Sequence, residues 1–266
     1  MSSPLVATLL EARNVVSALR EERKVARIGP VVVSGMLAEQ LAKELGAGAR
    51  PGVVVVGDDP RGVRAPVAVR VIAGDPSEED DAFVRAAEKA EIPIVIVQLW
   101  PQESWRAPFV LSPFVVECKT GEGFPLGKIA GLIATAADDP TALAARIPVL
   151  EPPVRRAVKR DAIVRSALLG ATTGRKQSAR PALLLEQIGV VSRLRALEDA
   201  ETRSDEQMPV VAGTAAAAIA ASYGFRQLAR VARRRLPDSV SDAAVAAVGT
   251  WAVAELFRRL EARGLV

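Results

Sequence analysis

The chain has no histidine and a single cysteine, Cys118. The first absence removes histidine-based triads, histidine-liganded metals and imidazole proton shuttles. The second removes internal disulfides and cysteine zinc sites, and it points to a cytoplasmic protein. Aromatic residues make up only 4% of the chain, so a core has to be built from Val, Leu, Ile and Ala. Lysine is scarce as well. Seven of the 35 basic residues are Lys, an arginine- and alanine-rich bias of the kind seen in GC-rich bacterial genomes. The N-terminal Met1-Ser2-Ser3-Pro4 carries no basic segment, and the apolar run Leu5 to Leu10 is followed at once by Glu11 and Arg13. That pattern does not read as a signal peptide.

Apolar material is plentiful. Half of the 266 residues are hydrophobic and a quarter are charged, which fits an ordinary globular chain of two domains. The charge is unevenly spread. Residues 1–150 hold 16 basic and 19 acidic groups, whereas residues 151–266 hold 19 and 12, so a net −3 half precedes a net +7 half. The basic half is the one expected to meet an acidic partner or an anionic membrane surface.

Periodicity organises the chain further. Ser3-Pro4 is a good helix start, and Leu5, Leu9, Ala12, Val16 and Leu19 share one face of a helix over residues 4–25. Short β-branched runs follow at 30–33, 53–56, 67–72, 94–97 and 114–116. Nearly continuous apolar strands imply burial on both faces and hence a mainly parallel sheet under helices. The intervening helices are expected over 36–45, 77–90 and 125–136. Glu78, Glu79, Asp80 and Asp81 sit in the first turn of the second, where the helix dipole favours acids. The link between Val56 and Val67 is short for a parallel crossover, so an antiparallel pair is one expectation there. Beyond Asp138 the strand pattern stops. Pro140, Pro148, Pro152 and Pro153 mark a junction, and helices are expected over 154–170, 181–201, 208–235 and 240–263.

Several segments carry a resemblance. Val71-Ile72-Ala73-Gly74-Asp75-Pro76 precedes an acid-rich helix, Pro93 opens a second strand, and the strand at Val115 runs into Glu117-Cys118-Lys119-Thr120-Gly121-Glu122-Gly123. Over residues 29–137 this resembles the second half of an Era-like or Ras-like GTPase domain. The nucleotide motifs of that family are missing. Ser34-Gly35-Met36-Leu37 follows the first strand, with no phosphate loop, and Gln98-Leu99-Trp100-Pro101 stands where the guanine-reading residues belong. Without the loop there is no backbone cradle for phosphates, no lysine for their charge and no hydroxyl for magnesium. The same pattern also suits any Rossmann-like α/β domain, in which Thr120 to Gly123 is simply a turn.

The C-terminal half resembles the YcjF-type GTPase-associated family of unknown function. The matching stretches are Arg155-Arg156 to Leu169-Gly170, Pro181 to Ile188, Ser222 to Arg230, Leu236-Pro237 and Val248-Gly249-Thr250-Trp251-Ala252. Arg180 departs from the family, which has an acid before the proline. The resemblance implies a helical module that is often membrane-associated and has no established activity.

Smaller candidates have plain structural explanations. Cys118 lacks an activating histidine and reads as a small buried hydrophobe. Asp58, Asp59, Asp75 and Glu78 to Asp81 suit a divalent ion by type, but equally suit turns and helix caps. Arg155, Arg156, Lys159 and Arg160, with Arg233, Arg234 and Arg235, form two basic clusters. No aromatic residues interleave them, which argues against nucleic acid. The uncharged run from Gln207 to Phe225 is dominated by small residues, and Gly213, Ala217 and Ala221 make a stripe suited to close helix packing. The run 243–254 suits a buried core helix.

The expectation is therefore an α/β fold: a small, mainly parallel, Rossmann-like or GTPase-like sheet with flanking helices, plus an all-α C-terminal domain. Residues 1–28 form an N-terminal helix, 29–137 the degenerate GTPase-like domain and 141–266 the helical domain. The expected role is a non-catalytic scaffold that binds a protein partner, itself, or an anionic membrane surface. No catalytic, cofactor-binding or metal-binding residue is assigned. The rival is a nucleotide-binding enzyme with an atypical phosphate site at the Gly35 or Gly74 loop.

Overall fold

The computed structural model describes residues 29–101, 114–118, 123–173, 179–198 and 238–261. The helices expected over 4–25 and 208–235 lie outside them. The chain divides into two compact units, one over 26–154 and the other over 155–266 together with 1–25.

The first unit is built on five strands: β1 (Val31–Gly35), β2 (Val54–Val56), β3 (Ala68–Ala73), β4 (Ile94–Leu99) and β5 (Val115–Cys118). They run in the order β2-β1-β3-β4-β5 and every pair is parallel. The strand direction of growth reverses between β1 and β3, which makes the sheet doubly wound. Helix α1 (Ala38–Leu45) links β1 to β2, α2 (Glu78–Lys89) links β3 to β4, and α3 (Leu126–Ala136) follows β5. The sequence places these helices to within two residues at each end.

Alternate strand residues point to opposite faces. Ala68 and Ile72 of β3 join Ile94 and Ile96 of β4 beneath Phe83, Val84 and Ala87 of α2. The alternate set, Val69, Val71, Val95 and Val97, is 1% exposed or less. That second face is served by α1 and α3, which also touch each other. Each such side chain contributes roughly 1.5–3 kcal/mol over its exposed state. After α3 come α4 (Pro140–Ala144) and a 3₁₀ turn (Pro148–Leu150); Leu143 and Leu150 within them and Ile147 between them are fully buried.

The β2 to β3 connection corrects one expectation. These strands are not an antiparallel pair. They are parallel and lie on either side of β1. Residues 57–67 retrace the length of the sheet with only a 3₁₀ turn (Pro60–Val63) and no α-helix. Extended chain covers up to about 3.3–3.6 Å per residue, enough to span short strands without one. The returning segment lies against the start of β1. A Cβ on Gly29 would meet the carbonyl oxygens of Arg64 and Val63 at 2.3 and 2.5 Å.

The second unit holds α5 (Glu151–Thr173) from Arg155 onward, with α6 (Ala179–Glu198) and α7 (Asp238–Glu261). Helix α5 buries Val158, Ala162 and Ser166 at spacing four, while α6 buries Val190, Val191, Leu194 and Leu197. On α7 the buried set is Ala246, Thr250, Val253, Ala254 and Phe257. The hydroxyl of Thr250 donates to that of Ser166 at 2.7 Å, so the polar pair is satisfied inside. The run 243–254 is not buried all round, because Val248 and Trp251 are exposed. An apolar run does not show from sequence alone which side its neighbours cover. Among the described residues no helix is long and apolar enough to cross a membrane.

Two glycines set the close approaches of this fold. Gly35 has φ 93, and a Cβ there would lie 2.0 Å from the Val71 carbonyl oxygen. Gly35→Ala and Gly29→Ala are each expected to cost about 2–4 kcal/mol in urea unfolding, since backbone would have to move. Gly57, with open space around it, is the control. Gly57→Ala is expected to change stability by under about 1 kcal/mol.

Candidate functional site

In a doubly wound sheet the ligand position is the crevice at the carboxyl ends of the strands, where the winding reverses. Here that place lies between β1 and β3. The residues beside it are Ser34 and Gly35 of β1, Asp58 after β2, Arg70 of β3, and the loop into α2.

Arg70 lies on the α2 face, between Ala68 and Ile72, and is 7% exposed. A cation there needs partners. Its Nε donates to Oδ1 of Asp80 at 2.7 Å and its Nη1 donates to the Ser34 hydroxyl at 2.6 Å. Ser34 is its register partner on β1, so sheet pairing itself brings the two together. The Ser34 hydroxyl donates onward to Oδ1 of Asp58 at 2.7 Å, and the guanidinium lies 3.7 Å from the same carboxylate. The Phe83 ring centroid is 5.1 Å from the guanidinium carbon.

Asp80 serves two masters. Its second oxygen accepts from the Ser77 backbone N–H and hydroxyl, both at 2.8 Å, closing a capping box at the start of α2. Burial opposes ionisation of Asp80, but the bonds from Ser77 and Arg70 outweigh it and hold the carboxyl below its ordinary range. One cation thus faces two carboxylates, and the crevice is not a ready anion site.

The β1 to α1 turn is equally committed. A phosphate loop needs several free backbone N–H groups around a cavity. Here the Met36 N–H donates to the Val71 carbonyl at 3.1 Å, and α1 starts at Ala38. Leu37 takes φ 56, a left-handed conformation that costs a non-glycine residue roughly 1–2 kcal/mol. Met36 and Leu37 project outward, 55% and 45% exposed. At the end of β4, Trp100 repeats the pattern, with φ 49 and 52% exposure. Apolar side chains therefore line the edge where a nucleotide-binding sheet presents polar backbone.

The other sequence candidates fall as follows. Asp59 caps the 3₁₀ turn through the Arg61 N–H and pairs with its guanidinium at 2.8 Å. Among the described residues no three carboxylates or thiols converge as a metal site. Cys118 is buried, and that burial pushes its thiol up against a weaker pull from Lys128. Lys119 to Glu122 lie outside the described residues. Arg155, Arg156, Lys159 and Arg160 all lie on α5, with Arg156 and Arg160 on its exposed side. Arg160 pairs with Asp161 at 3.3 Å. Gly213, Ala217, Ala221, Arg233, Arg234 and Arg235 lie outside the described residues.

The first unit is thus a doubly wound, all-parallel α/β domain with the Ser34–Arg70–Asp80–Asp58 network at its switch point. No protein-family model, curated protein or solved structure matches the chain.

The Arg70 network yields a stability prediction. Asp80→Ala takes the nearer carboxylate from a buried cation and opens the capping box, and is expected to cost about 3–5 kcal/mol. Adding Arg70→Met should give a double variant about 1–3 kcal/mol more stable than additivity allows. Because folding lowers the Asp80 value, its contribution is fully present above the unfolded value of about 3.9 and is lost as pH falls through the folded one. Asp80→Asn should therefore flatten the acid limb of the stability curve. An unchanged acid limb would place the pH dependence elsewhere.

Proposed function

We propose that this chain is a non-catalytic docking or scaffold protein. On this reading an α/β unit of GTPase-like ancestry has lost its nucleotide site, and a helical unit shares the work of association. One observation carries it. The switch-point crevice is occupied by the Ser34–Arg70–Asp80–Asp58 network and by a turn whose Met36 N–H is tied to β3. It supports the reading because the turn after β1 commits its Met36 N–H to β3 while Met36 and Leu37 project outward from it.

The test is nucleotide titration. Binding to the native state alone stabilises by about 2.7 kcal/mol at a hundredfold excess over Kd. That corresponds to a rise of at least a few degrees in Tm for a chain of this size. GTP and ATP are expected to leave the Tm unchanged and to give no heat in calorimetric titration. Micromolar affinity for either would remove this reading in favour of an enzyme with an atypical phosphate site.

The net +7 charge over residues 151–266 extends the proposal to an anionic surface. Weak cosedimentation with anionic vesicles is expected, lost at high salt as screening shortens. Equal binding to neutral vesicles would show that charge is not the cause.

A further inference from the structure

We infer that the carboxyl edge of the sheet is a docking surface for helix α5 of a second copy of this chain. The inference rests on the docking role above and names the surface and its occupant.

The acceptor surface is a set of exposed apolar groups at the ends of β2, β1 and β4, on either side of the end of β3. Val56 closes β2, Met36 and Leu37 follow β1, and Trp100 follows β4, each between 45% and 55% exposed. With strands about 4.8 Å apart, the ends of β2 through β4 span roughly 14 Å. Acids lie among them. Asp58 follows β2 with its side chain 90% exposed, and Asp75, Glu78 and Glu79 are exposed after β3. Leu37 and Trp100 hold left-handed backbone while presenting large apolar side chains to water. Conformational and solvation costs falling on the same two residues are expected of a surface kept for contact.

The complementary surface is on α5. Its exposed side carries Arg156, Arg160, Val164 and Leu168 at spacing four, and the last two are 51% and 59% exposed. At 1.5 Å per residue the stripe is about 18 Å long, close to the span of the rim. One half carries the two arginines, with Asp161 beside Arg160 at 3.3 Å, and the other is apolar, so the stripe offers cations and apolar groups to a rim of acids and apolar groups. The charge complementarity extends to the whole chain, whose halves carry −3 and +7. Rim and stripe are different surfaces, so the contact is heterologous, joining head to tail.

Sedimentation of the full chain over a range of concentration tests this. Self-assembly is expected, weakening as salt rises from about 0.1 M to about 1 M and the Debye length falls from about 10 Å to about 3 Å. Trp100→Glu on the rim, or Arg156→Glu with Arg160→Glu on the stripe, should each weaken assembly by at least about tenfold. All lie at exposed positions, and circular dichroism checks that they fold; Met36→Glu replaces Trp100→Glu if it does not. The deciding experiment mixes the rim variant with the stripe variant. Each retains the surface the other lacks, so the mixture should stop at a one-to-one heterodimer. Leu37→Gly should hold or raise the Tm while weakening assembly, which a purely structural role for Leu37 would not produce. A monomeric wild type, a mixture that stays monomeric, or stripe binding to anionic vesicles without self-assembly would each overturn the contact. None of these outcomes bears on nucleotide binding, so the docking role stands or falls separately on the titration.

Discussion

A charged side chain in the middle of a parallel sheet constrains everything around it, and Arg70 imposes that constraint here. Its guanidinium is removed from water at a cost that only close, well-aligned partners offset. Those partners come from three separate elements: Ser34 from β1, Asp80 from α2 and Asp58 from the segment after β2. Register matters as much as proximity. A one-residue slip of β3 against β1 would turn Arg70 to the opposite face, among Val33 and Val97 of the neighbouring strands. The network therefore specifies an alignment that the interchangeable valines around it leave open. Apolar replacements of similar volume are often as stabilising as a buried ion pair, so its value lies in alignment rather than in net stability.

The same network determines what the ligand edge can be. A doubly wound sheet places its strand ends, loop glycines and helix N-termini on one side, a geometry suited to anions. In this protein the glycine that ends β1 serves backbone contact instead, since Gly35 packs against the Val71 carbonyl. Two carboxylates answer the one buried cation. The surface left over carries exposed Val56, Met36, Leu37 and Trp100, with Asp58, Asp75, Glu78 and Glu79 among them.

Helix α5 follows a different logic. Its buried face repeats every four residues through Val158, Ala162 and Ser166, and its opposite face repeats in the same way through Arg156, Arg160, Val164 and Leu168. One face builds the unit while the other is exposed. The Ser166–Thr250 hydroxyl pair shows how a polar group is accommodated on the buried side, where each partner removes the other's cost.

Much of the fold was legible in the chain itself. Five β-branched runs became five strands, because side chains that are apolar on both faces suit only a sheet covered on both faces. Ser77 and the acids after it marked the start of α2 through local bonding that needs no distant partner. Strand order was not legible, since the segment between Val56 and Val67 is compatible with a hairpin as well as with a crossover past β1. The candidate site was also hidden, although one signal was present: a lone arginine within the otherwise apolar Val67 to Ala73. Ser34, Asp58, Arg70 and Asp80 lie up to 46 positions apart, and no spacing rule links them. Local pattern determined which segments are strands and helices, because period and capping act between near neighbours. Only tertiary structure decided which groups answer Arg70 and which apolar side chains remain in water, because burial and ion pairing depend on what folding brings together.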